Sequence, residues 1–253
     1  MEKISIITPC FNAEKYIEET YNSIKAQTHS NWEWVIVDDC STDRSIKIID
    51  AIRLKDNRVK LFKNMQNSGA AVTRNSSLDN ATGSFVAFLD IDDLWVPTKL
   101  EQQVNSMLKN NIDFSYHNYK LVDASGKLLK SQSCPLRMTS IDLLKFNPFA
   151  TSSIMIRKNI LDQKAIRFKV HLRRRQDYLF WFDVLNELSH GFLIQGELSS
   201  YRIFGSDSLS ANKKKMATIQ WKLYREEFNL NIFASAYYFC HYAIHGLRKY
   251  FLN

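Results

Sequence analysis

The chain has 253 residues, of which 45% are hydrophobic and 13% aromatic, and its formal net charge is +8 at pH 7. A chain of this length and apolar content can bury a substantial core, which excludes an intrinsically disordered protein. Its four cysteines include no CxxC pair, so neither a zinc knuckle nor a disulfide framework is predicted. Because the sequence has neither a signal-peptide pattern nor about 20 consecutive apolar residues, we expect a cytoplasmic protein.

The first 110 residues alternate short apolar strands with helical segments. The predicted strands are residues 4–8, 33–39, 59–64 and 85–90. Helices are predicted between them over residues 12–28, 41–52 and 68–81. This alternation is typical of an α/β fold with a mostly parallel sheet and helices on both faces.

The later part of the chain predicts a smaller, more antiparallel half and then a helical extension. After a helix over residues 99–111, strands are predicted over residues 113–123, 127–131 and 152–158, and a helix over residues 177–188. Two more helical stretches follow residue 213. We therefore expect a domain over residues 1–210, with halves at 1–110 and 111–210, and an extension over residues 211–253.

Polar residues follow each of the first four predicted strands: Thr8 with Pro9, Asp38 with Asp39, Asn67 with Ser68, and Asp90 with Asp92 and Asp93. Ligands of open α/β sheets bind beyond the carboxyl ends of the strands, near a topological switch point. We therefore expect these four loops to converge on one cleft.

The aspartates after the fourth strand predict a metal site. Asp90 and Asp92 follow a buried strand two residues apart, where like charges repel unless a cation lies beside them. Mg²⁺ and Mn²⁺ prefer oxygen ligands and commonly bridge protein carboxylates to a substrate diphosphate. The alternative is that one of these aspartates caps the helix near Pro97 or pairs with an arginine.

The other loops extend this hypothesis to a nucleotide. Asp38 and Asp39 are, by themselves, equally typical of residues that cap the following helix. Together with a Thr-Pro loop, an Asn-Ser-Gly turn at Asn67 and a helix that carries Arg74, they indicate a nucleotide-diphosphate pocket with a metal ion. The chain contains neither GxGxxG nor a P-loop, so those nucleotide-binding motifs are not predicted.

Four segments, in this order and spacing, resemble the large inverting glycosyltransferase family of GT-A fold, often called family two: residues 5–28, 33–45, 67–93 and 173–181. The resemblance covers residues 4–210 and implies a Rossmann-like GT-A domain that uses a nucleotide sugar, with a UDP-sugar as the expected donor. It implies a nucleotide-binding half over residues 1–110 and an acceptor half over residues 111–210.

The resemblance also assigns roles to individual residues. Asp39 matches the residue that binds the uracil ring, and Thr8, Pro9 and Arg74 match residues that line the nucleotide pocket. Asp90 and Asp92 match the DxD motif, with Asp92 as the direct ligand of Mn²⁺ or Mg²⁺.

Asp177 matches the base of the family. An inverting transfer is a single displacement, so a base must take the proton from the acceptor hydroxyl. By its local sequence alone, Asp177 is equally typical of a helix N-terminal charge or a partner of the preceding arginines. Many relatives carry Glu before this Asp, whereas this chain has Gln176. Arg202 is a candidate for a polar loop over the donor, with an ordinary surface arginine as the alternative.

These features predict a metal-dependent, non-processive enzyme. The chain lacks the Gln-x-x-Arg-Trp motif and the membrane helices that processive relatives carry after the base. The expected reaction moves one sugar to a hydroxyl of a glycan or lipid-linked acceptor in bacterial surface polysaccharide synthesis. The alternative is a non-catalytic sugar-nucleotide-binding protein. Nucleic acid is not expected as a partner, because the cleft is rich in carboxylates and the positive charge is concentrated in the tail.

The tail predicts an interaction surface. Residues 213–253 contain seven Lys or Arg and two Glu. Apolar residues recur on one helical face at Phe233, Tyr237, Cys240, Ile244, Leu247 and Phe251. A basic, aromatic, amphipathic helix is typical of contact with an anionic membrane, here the inner face of the cytoplasmic membrane. The alternatives are packing on the catalytic domain and a homodimer.

Overall fold

The computed structural model describes residues 1–204 and 213–251. Within them the strands are β1 (Ile4–Cys10), β2 (Trp32–Asp38), β3 (Val59–Lys63), β4 (Phe85–Phe88), β5 (Leu94–Trp95), β6 (Phe114–Val122), β7 (Leu128–Gln132), β8 (Arg137–Met138), β9 (Met155–Arg157) and β10 (Gly191–Arg202). The α-helices are α1 (Ile17–Lys25), α2 (Ser45–Arg53), α3 (Ala70–Asp79), α4 (Lys99–Lys109), α5 (Ser140–Lys145), α6 (Lys158–Gln163), α7 (Gln176–Leu188), α8 (Lys213–Lys222) and α9 (Ile232–Phe251). A 3₁₀ turn (Thr151–Ser153) precedes β9, and a π-helix (Leu223–Glu227) follows α8.

All the strands described above belong to one mixed sheet. The first four strands lie in the order β3-β2-β1-β4 and pair in parallel, as the strand–helix alternation predicts. Strand β9 is antiparallel to both β4 and β6 and joins the second half of the sheet to the first. The second half combines a parallel β6–β10 pair with antiparallel β5, β7 and β8. The predicted α/β class and the more antiparallel second half are confirmed.

Apolar residues cover both faces of the sheet. Successive strand residues point to opposite faces, so Phe88 packs in one core cluster and Ala87 in the other. Phe180 and Trp181 of α7 belong to the first cluster, and Leu100 of α4 belongs to the second. Helices therefore cover both faces, as predicted, which explains why the central strands are continuous apolar runs rather than alternating ones.

The long strand β10 was not predicted from the sequence. Its register against β6 shifts between Ile194 and Glu197 and again between Glu197 and Ser199. Gly196, within this stretch, has φ of +117°, a backbone conformation that other residues rarely adopt. These irregularities interrupt the two-residue alternation by which a strand is recognised in a sequence.

The C-terminal extension packs against the second half of the sheet domain. Leu223 and Tyr224 of the π-helix are buried, and the Tyr224 hydroxyl donates to the Leu144 carbonyl of α5 at 2.5 Å. In α9 the aromatic ring of His245 stacks on Phe146. The predicted domain boundary between residues 210 and 211 lies outside the described residues.

The opposite face of α9 is exposed. Phe233 is 84% exposed, Tyr237 54% and Ile244 46%, and Cys240 lies between them on the same face. The helix therefore packs on the domain with one side and presents an apolar stripe with the other. Among the described residues, no helix combines the length and apolar character needed to cross a membrane.

Candidate active site

The loop after β4 is held in place by its third aspartate. Asp93 is 1% exposed, and its carboxylate accepts hydrogen bonds from the Ser152 hydroxyl at 2.5 Å and the Arg202 backbone N–H at 2.9 Å. Its own N–H donates to the Asp90 carbonyl at 3.1 Å, which closes the turn. Because Asp93 is used inside the fold, Asp90 and Asp92 are the carboxylates of this loop that remain for a ligand.

Asp90 forms an ion pair with Arg74 of α3. The Arg74 Nη2 atom donates to the Asp90 carboxylate at 2.6 Å. Arg74 is only 7% exposed. Burial alone lowers the pKa of Arg74, but the charges of Asp90 and Asp177 outweigh burial and raise it. One alternative from the sequence, that an aspartate of this loop pairs with an arginine, is therefore present at Asp90. The paired guanidinium of Arg74 stays cationic.

Asp92 is the aspartate of this loop whose ionised form is disfavoured and lacks a compensating side-chain partner among the described residues. Burial, and next the negative charge of Asp90, raise the pKa of Asp92 to about 6. Within residues 1–204 and 213–251, no hydrogen bond from another side chain reaches its carboxylate oxygens. A cation beside Asp92 would relieve both the desolvation and the repulsion.

The carboxylates of this loop fit a divalent cation for which the substrate supplies further ligands. The described residues contain no group of three or more His, Cys, Asp or Glu side chains that could enclose a metal ion. Mg²⁺ typically uses one or two protein carboxylates together with phosphate oxygens and water. Asp92, with Asp90 beside it, matches that pattern of ligands.

Asp39 organises the loop that opens α3. Its carboxylate accepts hydrogen bonds from the backbone N–H groups of Ser68 and Gly69, both at 2.8 Å, and from the Asn64 amide at 2.7 Å. The Asn67 amide donates to the Asp39 carbonyl at 3.2 Å. Asp39 thus fixes the predicted Asn-Ser-Gly turn instead of capping the helix that follows it.

The neighbouring Asp38 holds the loop before α2 and does not cap that helix, which begins at Ser45 with Arg44 as its N-cap. The Asp38 carboxylate accepts a hydrogen bond from the Ser41 N–H at 2.9 Å.

Thr8 is fully buried, and its hydroxyl accepts a hydrogen bond from the Trp34 indole at 2.9 Å. Thr8 is therefore a buried support of the site, and the half-buried Pro9 is the accessible residue of this pair.

Asp177 lies in the first turn of α7, near Arg74 of α3. It is half-buried, and its charge contributes to the raised pKa of Arg74. No ion pair joins Asp177 to another described residue. Arg175, in the basic run before the helix, instead donates from Nη2 to the Tyr242 hydroxyl of α9 at 3.0 Å. The charges of Asp90 and Asp177 therefore both act on Arg74, and Asp90 alone forms an ion pair with it among the described residues.

Arg202 is part of the support of the loop after β4. It is the last residue of β10 and is 7% exposed, so the alternative of an ordinary surface arginine is wrong. Its guanidinium donates to the Asp92 carbonyl at 3.0 Å, the Ala124 carbonyl at 3.1 Å and the Glu19 carboxylate at 2.8 Å. These contacts place Arg202 beneath the loop rather than on a polar loop of its own.

Sequence reasoning missed Tyr201 and Ser152. Burial first, then the charges of the aspartates at 93, 90, 177 and 92, raise the pKa of Tyr201, which places its phenol among these carboxylates. Ser152 donates to Asp93 and accepts from the Asp90 N–H at 3.1 Å. Tyr201 lies in β10 and Ser152 in the 3₁₀ turn, and neither element has a clear periodic pattern in the sequence. Their only sequence signal is their position beside Arg202 and β9.

A separate groove lies away from these aspartates. It has a volume of about 1150 Å³, runs between α1 and α2, and contains none of the aspartates of the loop after β4. The candidate site is instead the open cleft at the carboxyl ends of β1, β2 and β4, which is where ligands bind in sheets of this class.

The parallel half of the sheet, with carboxylates at its carboxyl edge, joined to a second half that carries a further aspartate on α7, has the architecture of a glycosyltransferase of GT-A fold. Solved structures share the fold. Staphylococcus aureus TarS in complex with UDP-GlcNAc has a TM-score of 0.70 and 22% identity, over 95% of this chain and 71% of that chain. The mannosyltransferase PcManGT from Pyrobaculum calidifontis, in complex with GDP-Man and Mn²⁺, has a TM-score of 0.66 and 16% identity, over 91% of this chain and 65% of that chain.

The chain belongs to glycosyl transferase family 2, whose family model matches residues 5–184. It is 36% identical to the putative teichuronic acid biosynthesis glycosyltransferase TuaG of Bacillus subtilis, over 97% of this chain and 96% of that protein. It is 34% identical to WfgD of Escherichia coli, named as a UDP-Glc:alpha-D-GlcNAc-diphosphoundecaprenol beta-1,3-glucosyltransferase, over 97% of this chain and 94% of that protein. The predicted family is therefore confirmed.

Proposed function

We propose that this glycosyltransferase is a metal-dependent, inverting and non-processive enzyme that moves one sugar from a UDP-sugar to a hydroxyl of a lipid-linked glycan in bacterial surface polysaccharide synthesis. The observation that carries the proposal is that Arg74 forms an ion pair with Asp90 and also contacts Gln176, the residue beside Asp177. These contacts bring the loop of the proposed metal ligand and the proposed base to one cleft.

Donor binding is assigned to the first half of the sheet. Asp39 keeps acceptor capacity for the N–H of a uracil ring, because each carboxylate oxygen can accept two hydrogen bonds and Oδ2 accepts one here. Asn67 and the backbone at Thr8 and Pro9 border the same strand ends. Asp92, assisted by Asp90, would hold Mn²⁺ or Mg²⁺, which when bound offsets the charge on a leaving diphosphate.

Proton removal is assigned to Asp177. It is half-buried at the start of α7, comes from the other half of the domain, and forms no ion pair with a described residue. A carboxylate that is not consumed by a structural partner can accept the proton of an acceptor hydroxyl. The resemblance to family two supports this role.

The class of acceptor is taken from relatives. WfgD and WfaP of Escherichia coli are both named for transfer to a sugar diphosphate on undecaprenol, and each is 34% identical to this chain. These relatives support a lipid-linked acceptor, and TarS and WfgD support UDP as the nucleotide. A glycan without lipid is the alternative acceptor.

The function is tested by measuring UDP release from a panel of UDP-sugars, with and without Mn²⁺, in the presence of a GlcNAc-diphosphate-lipid. We expect Mn²⁺-dependent UDP release, and we expect Asp92→Ala to abolish Mn²⁺-dependent UDP binding without unfolding the protein. Binding of UDP by the wild-type protein with no transfer to any acceptor would favour the non-catalytic alternative. Undiminished Mn²⁺-dependent binding by Asp92→Ala would remove Asp92 from the metal site.

The proposal includes contact of α9 with an anionic membrane. Phe233, Tyr237 and Ile244 form an exposed apolar stripe, and residues 228–253 contain no Asp or Glu. Aromatic side chains and basic residues together favour the surface of an anionic bilayer. In the sequence, residues 228–253 carry Arg248 and Lys249 and no acidic residue, so pairing two copies of this segment would bring like charges together, which favours lipid over a homodimer.

Vesicle flotation tests this contact. We expect the full-length protein to float with phosphatidylglycerol-containing vesicles at low salt, and the double substitution Phe233→Ser and Tyr237→Ser to lose most of that binding. Leu54→Ser, at a residue that is 83% exposed on the far side of the sheet domain, is the matched control and keeps binding. Equal flotation of the stripe variant, or a dimer that this variant dissolves, would overturn the membrane assignment.

A further inference from the structure

Gln176, the first residue of α7, contacts two elements at once. It is 8% exposed, and with its amide oxygen toward Arg74 it accepts a hydrogen bond from Arg74 Nη1 at 3.1 Å. Its NH₂ group then donates to the Leu172 carbonyl at 3.0 Å. In this orientation both ends of the buried amide have a partner, as buried polar groups require.

Arg74 continues this contact to the loop after β4. Its Nη2 atom donates to the Asp90 carboxylate at 2.6 Å, while Nη1 faces Gln176. The guanidinium lies 5.6 Å from the centre of the Phe168 ring, which packs against it. A guanidinium is planar and its donors point in fixed directions, so a shift of either partner is transmitted to the other.

The start of α7 is held toward α5 and α9 by the Tyr178 hydroxyl, which donates to the Leu143 carbonyl at 2.8 Å, and by the hydrogen bond of Arg175 to Tyr242, but it has no side-chain cap. Its N-cap, Arg175, has φ of +63° and provides no side-chain capping hydrogen bond. A non-glycine residue in this left-handed region is held there by its surroundings. The hydrogen bond between Gln176 and Arg74 joins this turn, which carries Asp177, to α3.

We infer that Gln176 is a positioning residue for the transfer reaction: through Arg74 it ties the turn that carries Asp177 to the loop that carries Asp90 and Asp92. The inference rests on the proposed function, since it assumes that Asp177 is the base and that the loop binds the metal and diphosphate. In this arrangement, occupation of the donor site holds the base in place for the acceptor hydroxyl. A side chain at position 176 must accept a hydrogen bond from Arg74, which Gln and Glu both do.

Two substitutions at this position separate hydrogen bonding from packing. Gln176→Met keeps the length of the side chain and removes the acceptor, whereas Gln176→Glu keeps the acceptor and removes the donor to Leu172. We expect Gln176→Met to lower kcat roughly 10- to 100-fold, the range for a small displacement of a catalytic group. We expect its Kd for UDP with Mn²⁺ to stay within about twofold, because the donor residues are untouched.

Gln176→Glu is expected to restore most of the kcat lost in Gln176→Met. Gln163→Met, at an exposed position of α6, is the control for the chemical change and leaves kcat unchanged. If Gln176→Met turned over normally, or if Gln176→Glu were as slow as Gln176→Met, the link through Arg74 would be wrong. A parallel loss of UDP affinity in Gln176→Met would instead make Gln176 part of the donor pocket.

Hydrogen exchange provides a readout that does not depend on transfer. We expect UDP with Mn²⁺ to slow amide exchange over residues 177–181 in the wild-type protein and in Gln176→Glu, and to leave it unchanged in Gln176→Met. The same response in all three proteins would overturn the inference. If UDP with Mn²⁺ slowed exchange over residues 177–181 in the wild-type protein but the protein never transferred sugar, the proposed function would be contradicted. The link through Arg74 would not be contradicted.

Discussion

At the residue scale, three aspartates of one loop have different chemistry because their partners differ. The buried carboxylate of Asp93 accepts hydrogen bonds from a hydroxyl and a backbone N–H, and Asp90 forms an ion pair with Arg74. Asp92 has a raised pKa because burial and the charge of Asp90 both disfavour its ionised form. Three identical side chains within four positions therefore have three roles: Asp93 supports the loop, Asp90 links it to Arg74, and Asp92 is the candidate metal ligand.

The residue on which catalysis is expected to depend most is Asp177. Asp177→Asn keeps the shape of the side chain but cannot accept the acceptor proton, so transfer should fall by about 10²- to 10⁴-fold. UDP and Mn²⁺ should bind nearly as in the wild-type protein, because the donor residues come from the other half of the domain. Steady-state transfer kinetics and calorimetric titration with UDP and Mn²⁺ check the two parts.

Asp183→Asn is the matched control, because it makes the same chemical change on the same helix at a half-buried position. Its transfer rate should stay close to that of the wild-type protein. If Asp177→Asn lost donor affinity as strongly as it lost turnover, Asp177 would be an organiser of the pocket. Normal turnover would remove it from the mechanism.

At the element scale, the amino ends of β1, β2 and β4 are joined by one buried carboxylate. Glu33 of β2 accepts hydrogen bonds from Lys3 at 2.7 Å, from Ser5 at 2.6 Å, and from the N–H and hydroxyl of Thr82 at 2.7 and 2.8 Å. Burial by itself raises the pKa of Glu33, but these hydrogen bonds outweigh burial and lower it to about 2. The contacts join the three strands at the end opposite to the candidate site.

This carboxylate predicts a pH-dependent contribution to stability. Because the pKa of Glu33 is lower in the folded than in the unfolded protein, its contribution is fully present above pH of about 4.5 and is lost as pH falls toward about 2. Glu33→Gln should lower the free energy of unfolding at pH 7 by about 2 kcal/mol, since it leaves buried donors without a charged acceptor. Urea unfolding at pH 7 and at pH 3 measures both effects.

The difference in unfolding free energy between wild type and Glu33→Gln should shrink at pH 3, where the native carboxylate begins to lose its advantage. Glu18→Gln, at an exposed position of α1, removes the same charge and should change stability little. A difference that is the same at both pH values would mean that Glu33 contributes packing rather than charge.

At the scale of the whole molecule, the C-terminal extension has two faces with opposite expected roles. Tyr224 is fully buried against the second half of the sheet domain, whereas Tyr237 is 54% exposed on α9. Tyr224→Ala should cost about 3–5 kcal/mol, which lowers the melting temperature by roughly 10 °C in a chain of this size. Thermal unfolding of the full-length variants checks this value.

Tyr237→Ala is the matched control for that substitution. It removes the same side chain from the exposed face, so it should leave the melting temperature nearly unchanged while it weakens vesicle flotation. If both substitutions lowered the melting temperature equally, the exposed stripe would be covered by protein in solution. If neither did, α8 and α9 would not be packed on the domain as the structure shows.

Much of the fold follows from local sequence. Strands β1 to β4 are continuous apolar runs, and the helices between them carry apolar residues at helical spacing, so their order predicts the parallel half of the sheet. The three-residue strand β9 lay within a longer predicted strand. Strand β10 was missed because bulges near Gly196 break its alternation, and β10 is the neighbour of β6 that carries Tyr201 and Arg202.

The chemistry of the site divides in the same way between sequence and tertiary structure. Residue type and spacing determined that carboxylates follow the strand ends, because the carboxyl ends of parallel strands meet at one edge of a sheet. Tertiary structure alone decided which carboxylate accepts the hydrogen bond of Ser152 and that Arg202 lies beneath the loop. It also decided that Arg74 connects Asp90 to Gln176. These partners are far apart in the chain, and the burial and charge that set each role arise only when the sheet brings them together.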